Sequence, residues 1–186
     1  MTEVYFVTGN SDKARLFSKM VGFEIKNIKV DLEEIQSLEL SEIVKHKAIE
    51  AYKITKKPVI VEDSKLSFLA LGKLPGPLIK YFSSELGSEG LCRLLDSYND
   101  RSAIAGAAIA YYDGKILKIF EKELHGSISD KPGGSMGFGW DDIFIPDGYK
   151  IVRGDMDEET YLGSYRETKP FKELADFLRK IDKVQA

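Results

Sequence analysis

Short apolar runs alternate with helical patterns along the first part of the chain, and this alternation limits the folds open to it. Residues 1–7 form a predicted strand that ends in apolar and aromatic side chains. Apolar side chains at helical spacing follow over residues 11–20, and Gly22 ends that pattern. An alternating strand pattern covers residues 24–30, and residues 41–54 form a second helical stripe. Such alternation favours an α/β fold with a central mixed sheet flanked by helices.

Turn signals and a further apolar run organise the rest of the chain. Asp113 and Gly114 stand between two alternating segments, a combination that is typical of a β-hairpin. Residues 58–61 predict a short buried strand that ends at Glu62 and Asp63. The other predicted elements are hairpin arms at residues 102–112 and 115–125, helices at 79–86, 89–95 and 168–181, a glycine-rich loop at 126–141 and a strand at 143–145. No repeat or linker interrupts them, so residues 1–186 are predicted to form one domain.

The composition is typical of a globular chain and sets limits on its partners. Hydrophobic residues make up 43% of the 186 residues and charged residues 31%, which suffices for a buried core without disulfides or structural metals. The formal net charge of −3 offers no overall attraction to nucleic acid or to an anionic membrane. No run approaches the roughly 20 apolar residues of a membrane span, and no signal-peptide pattern is visible. We therefore expect a cytoplasmic protein that binds neither nucleic acid nor membranes.

The segment TGNSDK, residues 8–13, has the composition of an anion-binding loop between a strand and a helix. Gly9 allows a sharp turn and a close approach of the backbone to a ligand. Amide groups at the helix start, assisted by the helix dipole, point toward an anion. Thr8 and Asn10 add side-chain donors, and Lys13 adds a positive charge. The spacing is not that of a Walker A loop, and a capped helix with a surface lysine is the alternative interpretation.

Two groups of acidic residues are candidate metal ligands: Asp31, Glu33 and Glu34, and the pair Glu62 and Asp63. Magnesium prefers hard oxygen ligands and often uses one or two carboxylates together with waters and substrate phosphates. An ionised aspartate near the metal also accepts a proton from an attacking water. Solvated surface carboxylates are the favoured interpretation of Asp31 and Glu33. For Asp63 we favour function, because it follows an apolar strand directly.

Two further features are candidate ligand contacts. Lys47 lies within the apolar stripe of the second helical pattern, where it either extends its ammonium to solvent or reaches a phosphate. The segment GFGWD, residues 137–141, offers Phe138 and Trp140 for stacking on a base and Asp141 as an acceptor for ring nitrogens. A glycine turn between core aromatic residues is the alternative interpretation of this segment.

The ordered set of motifs resembles the inosine triphosphate pyrophosphatase family. The motifs are TGNSDK, DLEEIQ, VIVEDSKL, ALGKLPGP, DRSA, GFGWDDIFIPDGY and SYR, and together they span nearly the whole chain. The resemblance implies an elongated mixed sheet in two lobes with a deep cleft between them, and a homodimer. It also implies hydrolysis of ITP, dITP and XTP between the α- and β-phosphates, which gives a nucleoside monophosphate and pyrophosphate.

The resemblance further implies roles for individual residues on the phosphate and metal side. Glu34 and Asp63 would bind Mg²⁺, and Asp63 would also accept the proton of the attacking water. The residues that would bind the triphosphate are Thr8, Gly9, Asn10, Lys13 and Lys47. Ser64 would lie beside the substrate.

On the base side the resemblance implies a second set of contacts and shows two departures. The base would be framed by Phe138, Gly139, Trp140 and Asp141, with Tyr165 and Arg166 completing the site. Tyr165 stands where the family usually has histidine, and Thr160 where it usually has lysine, so an imidazole and a positive charge are missing. Lys65 replaces a frequent glycine and is a candidate source of a cation. A shifted or relaxed base preference is one alternative function, and a nucleotide-binding protein without turnover is another.

Overall fold

A computed structural model describes residues 3–22 and 25–185 of the chain. Within these residues it contains seven strands and five α-helices. The strands are β1 Tyr5–Val7, β2 Lys26–Ile28, β3 Val59–Phe68, β4 Pro75–Gly76, β5 Ser102–Tyr112, β6 Leu117–Ile128 and β7 Phe144–Pro146. The helices are α1 Ser11–Val21, α2 Leu40–Thr55, α3 Ile79–Arg93, α4 Glu158–Glu167 and α5 Phe171–Gln185. Two short 3-10 turns cover Leu69–Leu71 and Arg153–Asp155.

The strands form a single mixed sheet in the order β2-β1-β3-β5-β6-β7, with β4 paired to β3. Strand β1 runs parallel to both β2 and β3, whereas β4 is antiparallel to β3 and β7 is antiparallel to β6. The parallel pairs are separated along the chain by helices α1 and α2, as crossover connections require. The predicted α/β fold with a mixed sheet flanked by helices is therefore confirmed.

The chain divides into two compact units. One consists of the described parts of Met1–Asp63, Ala108–Glu121 and Pro170–Ala186, and the other of Ser64–Ala107 and Lys122–Lys169. The expectation of a single domain with two lobes and a cleft between them stays a prediction.

In the first unit, successive residues of the strands pack against different helices. Phe6 of β1 stacks on Phe17 of α1 with 4.1 Å between ring centroids, and Phe17 meets Phe171 of α5 edge-on at 5.5 Å. The neighbouring Val7 belongs instead to a core cluster with α2. The buried members of that cluster are Val7, Leu40, Val44, Ala48, Ala51, Val59, Val61, Ala108 and Ala110. Because strand side chains alternate between faces, β1 and β3 present one set of residues to α1 and α5 and the other to α2.

In the second unit, the core lies between α3 and the ends of the long strands. Its buried members are Leu66, Phe68, Ile79, Leu91, Cys92, Leu95, Ala103, Ala105, Ile128, Ile143 and Phe144. Helix α3 is interrupted at Gly87, whose φ of 63° and ψ of 177° are not helical. The predicted pair of helices separated by Gly87 is confirmed.

Strand β3 is longer than predicted. The sequence predicts an end at Glu62 and Asp63, but the strand continues to Phe68, so that prediction is wrong. Leu66 and Phe68 are fully buried at alternate positions after the two carboxylates, and β4 pairs with this second half of the strand. Glu62 and Asp63 therefore lie in the middle of a strand, where their side chains point to opposite faces of the sheet.

Several other boundaries differ from the predicted ones. Strand β6 covers Leu117–Ile128 rather than residues 115–125, so the predicted loop at 126–141 is wrong over its first three residues. Strands β1 and β2 are shorter than the predicted residues 1–7 and 24–30, of which Met1, Thr2 and Glu24 lie outside the described residues. The predicted C-terminal helix begins at Phe171 rather than Thr168, because Pro170 marks its start and Thr168 caps the preceding helix α4. The hairpin of β5 and β6 is confirmed.

Candidate functional site

The TGNSDK segment forms the predicted strand-to-helix turn. Asn10 is the N-cap of α1, and its Oδ1 accepts a hydrogen bond from the backbone N–H of Lys13 at 2.9 Å. The Oγ1 of Thr8 accepts from the backbone N–H of Asn10 at 3.1 Å. Gly9 and Asn10 are exposed and Thr8 is half-buried. The loop thus presents an accessible helix N-terminus, where the dipole favours negative charge.

Lys13 is not a free surface lysine, because a buried carboxylate holds its ammonium. Lys13 Nζ lies 3.1 Å from Glu62 Oε1, and the two side chains are only 18% and 1% exposed. A carboxylate that is buried to this extent needs a paired cation. The ion pair therefore anchors Lys13 beside the first turn of α1 with its positive charge near the loop.

Lys47 joins the two predicted metal ligands. Its Nζ lies 3.1 Å from Glu34 Oε1 and 3.1 Å from Asp63 Oδ2. The Lys47 side chain is 13% exposed, whereas Asp63 and Glu34 are 25% and 46% exposed. Burial lowers the pKa of Lys47, but the attraction of Asp63 and Glu34 outweighs burial, and the pKa lies above its ordinary value. Lys47 is therefore a charged residue that binds carboxylates, and its ammonium does not extend freely to solvent.

The donor set around Lys47 fits a magnesium ion. Glu34 and Asp63 already converge on one positive charge, and both offer the hard oxygen atoms that Mg²⁺ prefers. No group of three or more histidine, cysteine or acidic side chains suited to a metal occurs within residues 3–22 and 25–185. Two carboxylates are sufficient for Mg²⁺ when substrate phosphates and waters complete its shell. Glu34 and Asp63 are therefore a candidate Mg²⁺ site that further oxygen ligands would complete.

The alternation of β3 explains why two adjacent carboxylates serve two different lysines. Glu62 contacts Lys13 of α1, and Asp63 contacts Lys47 of α2. The two helices pack on the two faces of the sheet, as described above, and successive strand side chains point to those faces in turn. Adjacent carboxylates of β3 therefore pair with lysines of two different helices.

The second unit contains a buried carboxylate at the end of the GFGWD segment. Asp141 Oδ2 accepts hydrogen bonds from the backbone N–H of Phe138 and from the hydroxyl of Tyr161, each at 3.0 Å. Its Oδ1 lies 3.4 Å from Arg153 Nη1. Burial raises the pKa of Asp141, while Arg153 and the two hydrogen bonds oppose that rise. Asp141 thus anchors the loop in which it lies, and its direct contact with a base stays a prediction.

Aromatic rings surround the exposed side of this loop. Phe138 is 38% exposed and meets the buried ring of Tyr165 edge-on, with 6.0 Å between centroids. Tyr165 also lies 5.9 Å from Tyr161, and the ammonium of Lys169 lies 4.8 Å from its ring centroid. Trp140 is half-buried and packs edge-on against the core ring of Phe144 at 5.6 Å. Of these rings, Phe138 is the one most available for stacking on a ligand.

The residues that depart from the family pattern are committed to local contacts. The Thr160 hydroxyl donates to Asp157 Oδ2 at 2.9 Å, and Asp157 is the N-cap of α4. Lys65 Nζ lies 2.6 Å from Glu123 Oε1. Thr160 therefore turns back toward its own helix end, and the charge of Lys65 is paired on the sheet.

The structure groups the predicted site residues into two sets, one in each unit. Lys13, Glu34, Lys47 and Asp63 lie in the first unit together with the loop of Thr8, Gly9 and Asn10. Ser64, Phe138, Gly139, Trp140, Asp141, Tyr165 and Arg166 lie in the second. Ser64 is half-buried in β3, and Gly139 and Arg166 are exposed.

Two residues that the sequence analysis did not single out hold the second set together. Arg153 and Tyr161 both contact Asp141. Arg153 follows Ile151 and Val152, and an arginine directly after apolar residues was the available signal for burial. Tyr161 gave no such signal beyond its place next to Thr160.

Comparison with known proteins identifies the family of the chain and agrees with its fold. The chain belongs to the Ham1 family, whose family model matches residues 4–177. The chain is 40% identical over 183 residues to the inosine triphosphate pyrophosphatase of Schizosaccharomyces pombe, covering 96% of both chains. It is 37% identical over 176 residues to the dITP/XTP pyrophosphatase of Saccharolobus solfataricus, covering 92% of this chain and 91% of that protein.

Solved structures show the same fold. The Ham1 protein of Staphylococcus aureus matches with a TM-score of 0.79 at 25% identity, over 95% of this chain and 98% of that one. A HAM1 protein from Coxiella burnetii matches with a TM-score of 0.84 at 23% identity, over 97% of this chain and 100% of that one. The family resemblance seen in the sequence is confirmed. None of the helices in the described part of the chain has the length and apolar character needed to cross a bilayer.

Proposed function

We propose that this chain hydrolyses the non-standard purine nucleoside triphosphates ITP, dITP and XTP to the nucleoside monophosphate and pyrophosphate. The observation that carries the proposal is the pair of carboxylates, Glu34 and Asp63, converging on the Lys47 ammonium in a member of the Ham1 family. Relatives at 40% and 37% identity are named inosine triphosphate pyrophosphatase and dITP/XTP pyrophosphatase. Hydrolysis of a triphosphate needs cations that bind the phosphate oxygens and a carboxylate that accepts a proton from water. The first unit contains both kinds of group.

In the proposed mechanism, the residues of the first unit bind the triphosphate and handle one proton. The α1 N-terminus and Lys13 bind phosphate oxygens, and Lys47 adds a second positive charge. Asp63 accepts a proton from the attacking water, whose oxygen bonds to phosphorus while the bond between the α- and β-phosphates breaks and pyrophosphate leaves. Glu34 and Asp63 would hold Mg²⁺, which when bound neutralises phosphate charge.

The residues of the second unit are proposed to bind the base. Phe138 offers an exposed ring for stacking, and base–aromatic stacking contributes about 1–3 kcal/mol per base. Trp140, Gly139 and Asp141 complete the loop, with Tyr165 and Arg166 on α4. A site that donates a hydrogen bond to a 6-oxo group rejects a 6-amino group, because the mismatched pair leaves buried polar groups without partners.

A relaxed base preference is the second candidate function, and one observation favours it. The Thr160 hydroxyl bonds to Asp157 within its own helix end, so neither the lysine charge nor a polar substitute is offered at that position. Tyr165 is buried beneath Phe138, so its ring contributes packing. A nucleotide-binding protein without turnover is the remaining alternative. We further propose that the enzyme is a cytoplasmic, Mg²⁺-dependent homodimer.

Pyrophosphate release tests these proposals directly. The purified protein is assayed with ITP, XTP, dITP, ATP, GTP and pyrimidine triphosphates, in Mg²⁺ and again in excess EDTA. The expected result is fast release from ITP, XTP and dITP that EDTA abolishes. Comparable release from ATP and GTP would support the relaxed preference, and binding without release would support the non-catalytic alternative. Light scattering during size-exclusion chromatography tests the expected dimer mass.

A further inference from the structure

We propose that Arg153 is a positioning residue for base binding, which sets the distance between the GFGWD loop and helix α4. The inference rests on the proposed function, because those two segments carry the proposed base contacts. Its basis is a single buried guanidinium that bonds to both segments.

The side chain of Arg153 contacts both the end of the loop and the end of α4. Nε donates to Ser164 Oγ at 2.8 Å, and Nη2 donates to the Ser164 carbonyl at 3.1 Å and also to Thr168 Oγ1. Nη1 lies 3.4 Å from Asp141 Oδ1. The Arg153 side chain is 1% exposed. Its own 3-10 turn is therefore linked to the end of the loop and to the last turn of α4.

Backbone hydrogen bonds attach the loop to the same 3-10 turn. The carbonyl of Gly154 accepts from the N–H groups of Ser135 and Met136, each at 2.9 Å. The N–H of Gly154 donates to the Asp141 carbonyl at 2.8 Å. Arg153 thus belongs to a turn whose backbone bonds to the loop, while its guanidinium bonds to Asp141 of the loop and to Ser164 of α4.

These contacts reach the proposed base site through one neighbour on each side. Asp141, bound by Arg153, accepts the Phe138 backbone N–H through its other oxygen. Ser164, bound by Arg153, precedes Tyr165 in the chain. The 6.0 Å between the rings of Phe138 and Tyr165 therefore depends on the guanidinium that binds Asp141 and Ser164.

Arginine chemistry suits this role better than a lysine would. A guanidinium is planar and has five N–H donors in a fixed fork, whereas an ammonium is a compact point charge. The Arg153 plane also lies near two aromatic rings, with its central carbon 5.6 Å from Trp140 and 5.1 Å from Phe144. A lysine at this position would keep the charge opposite Asp141 but lose the simultaneous contacts to Ser164 and Thr168.

The variant Arg153→Lys tests the proposal, with Arg179→Lys as the matched control. Arg179 is 57% exposed on α5, in the other unit, and pairs with Asp176. The assays measure kcat and KM for ITP, and Ki for inorganic tripolyphosphate, which has phosphates but no base. We expect Arg153→Lys to raise KM for ITP about 10-fold with kcat within about 3-fold of wild type, because base binding is lost equally in the ground state and the transition state. The Ki for tripolyphosphate should match that of the control.

Equal KM values for ITP in Arg153→Lys and Arg179→Lys would overturn the proposal. A parallel rise in KM for ITP and Ki for tripolyphosphate in Arg153→Lys would also overturn it, because phosphate binding would then be damaged as well. If Arg153→Lys does not fold in a thermal melt, Ser164→Ala removes one contact and should show the same pattern with a smaller rise.

A binding assay separates this inference from the proposed function. Trp140 is the single tryptophan of the chain, so its fluorescence reports on the loop during a titration with IMP. If the wild type releases no pyrophosphate from any triphosphate, the proposed function fails, but weaker IMP binding by Arg153→Lys than by Arg179→Lys would still support the positioning role. Equal IMP affinity in the two variants, or no IMP binding by the wild type, would overturn it.

Discussion

The ammonium of Lys47 lies 3.1 Å from an oxygen of Asp63, the carboxylate that we propose accepts a proton from water. Glu34 lies at the same distance from that ammonium, so three charged groups meet where β3 faces α2. The ammonium therefore fixes Asp63 and Glu34 beside one another, and these are the two carboxylates that would hold Mg²⁺.

Replacing Asp63 with asparagine should abolish most of the activity. Asp63→Asn keeps the shape of the side chain but cannot accept a proton, and general-base catalysis typically contributes about 10²–10⁴-fold. We therefore expect kcat for ITP to fall about 100-fold or more, measured as pyrophosphate release. Asp147→Asn, at an exposed position of the second unit, is the control and should retain wild-type kcat. Equal activity of the two variants would show that the assigned mechanism is wrong.

Stability at high pH should depend on Lys47. Its pKa in the folded chain lies above the ordinary value of 10.5, so its ion pairs stabilise the fold fully below about pH 10.5. That contribution is lost as the pH rises through the folded pKa. Thermal melts from pH 8 to pH 12 should therefore show the Tm of the wild type falling toward that of Lys47→Met above about pH 10.5.

The matched control for this experiment is Lys115→Met, at an exposed position of the same unit. Its Tm difference from the wild type should stay constant across the range. A constant difference for Lys47→Met as well would rule out the proposed contribution of these ion pairs.

Glu62 should affect substrate binding through Lys13. Glu62→Gln removes the buried charge that holds the Lys13 ammonium, and hydrogen bonds to charged groups contribute about 1.5–3 kcal/mol. We expect KM for ITP to rise about 10- to 100-fold, with Lys13→Met giving a similar rise. Steady-state kinetics of both single variants and the double variant measure the coupling.

The increases in KM caused by Glu62→Gln and Lys13→Met should not add in the double variant, because both changes break the same ion pair. Glu121→Gln, at an exposed position of β6 in the same unit, is the control with no expected rise. Fully additive effects of Glu62→Gln and Lys13→Met would mean that Glu62 does not act through Lys13.

Tyr165 should influence base preference. Tyr165→His places an imidazole, with its polar nitrogens, beside Phe138 and Tyr161. We expect the ratio of kcat/KM for ITP over ATP to rise about 10-fold, the size of one added hydrogen bond to a substrate. The readout is pyrophosphate release from each nucleotide. Tyr98→His, at a side chain that is 44% exposed, is the control, and an unchanged ratio in Tyr165→His would exclude base reading through this position.

Gly134 should be intolerant of a side chain. Its φ is +69°, and an added Cβ would overlap the backbone carbonyl of Gly154. Gly134→Ala should lower the free energy of unfolding by more than about 1 kcal/mol, measured by urea denaturation. Gly72→Ala is the matched control, because Gly72 has a φ of +70° with no atom within 4 Å of the added Cβ. Equal losses in the two variants would assign the effect to backbone strain alone.

Patterns that repeat along the chain could be predicted from the sequence. The presence of strands β1 to β3, the Asp113–Gly114 hairpin and the break at Gly87 all depend on neighbouring residues, and all three are confirmed. The end of β3 was predicted wrongly because Glu62 and Asp63 are polar, and polar residues usually mark a strand end. Their partners, Lys13 and Lys47, lie on two different helices, so only the folded chain shows why both carboxylates are acceptable within the strand.

The second set of residues was less predictable for a similar reason. The apolar residues before Arg153 indicate burial, but they do not identify its partners. Its partners lie on another helix and at the end of a glycine-rich loop. Such contacts join distant parts of the chain and leave no periodic pattern. The aromatic residues of GFGWD were visible in the sequence, but the turn that supports them was not.

Because side chains alternate along β3, inserting or deleting a residue in this strand should be tolerated less well than a conservative substitution. A residue inserted between Val59 and Glu62 would shift the register by one and turn every following side chain to the opposite face. Asp63 would then point toward α1 and Glu62 toward α2, so each lysine would face the other's partner. Conservative substitutions within β3 keep Glu62 facing Lys13 and Asp63 facing Lys47, whereas the insertion of one residue reverses the two faces. Natural variation in length among relatives should therefore accumulate outside β3.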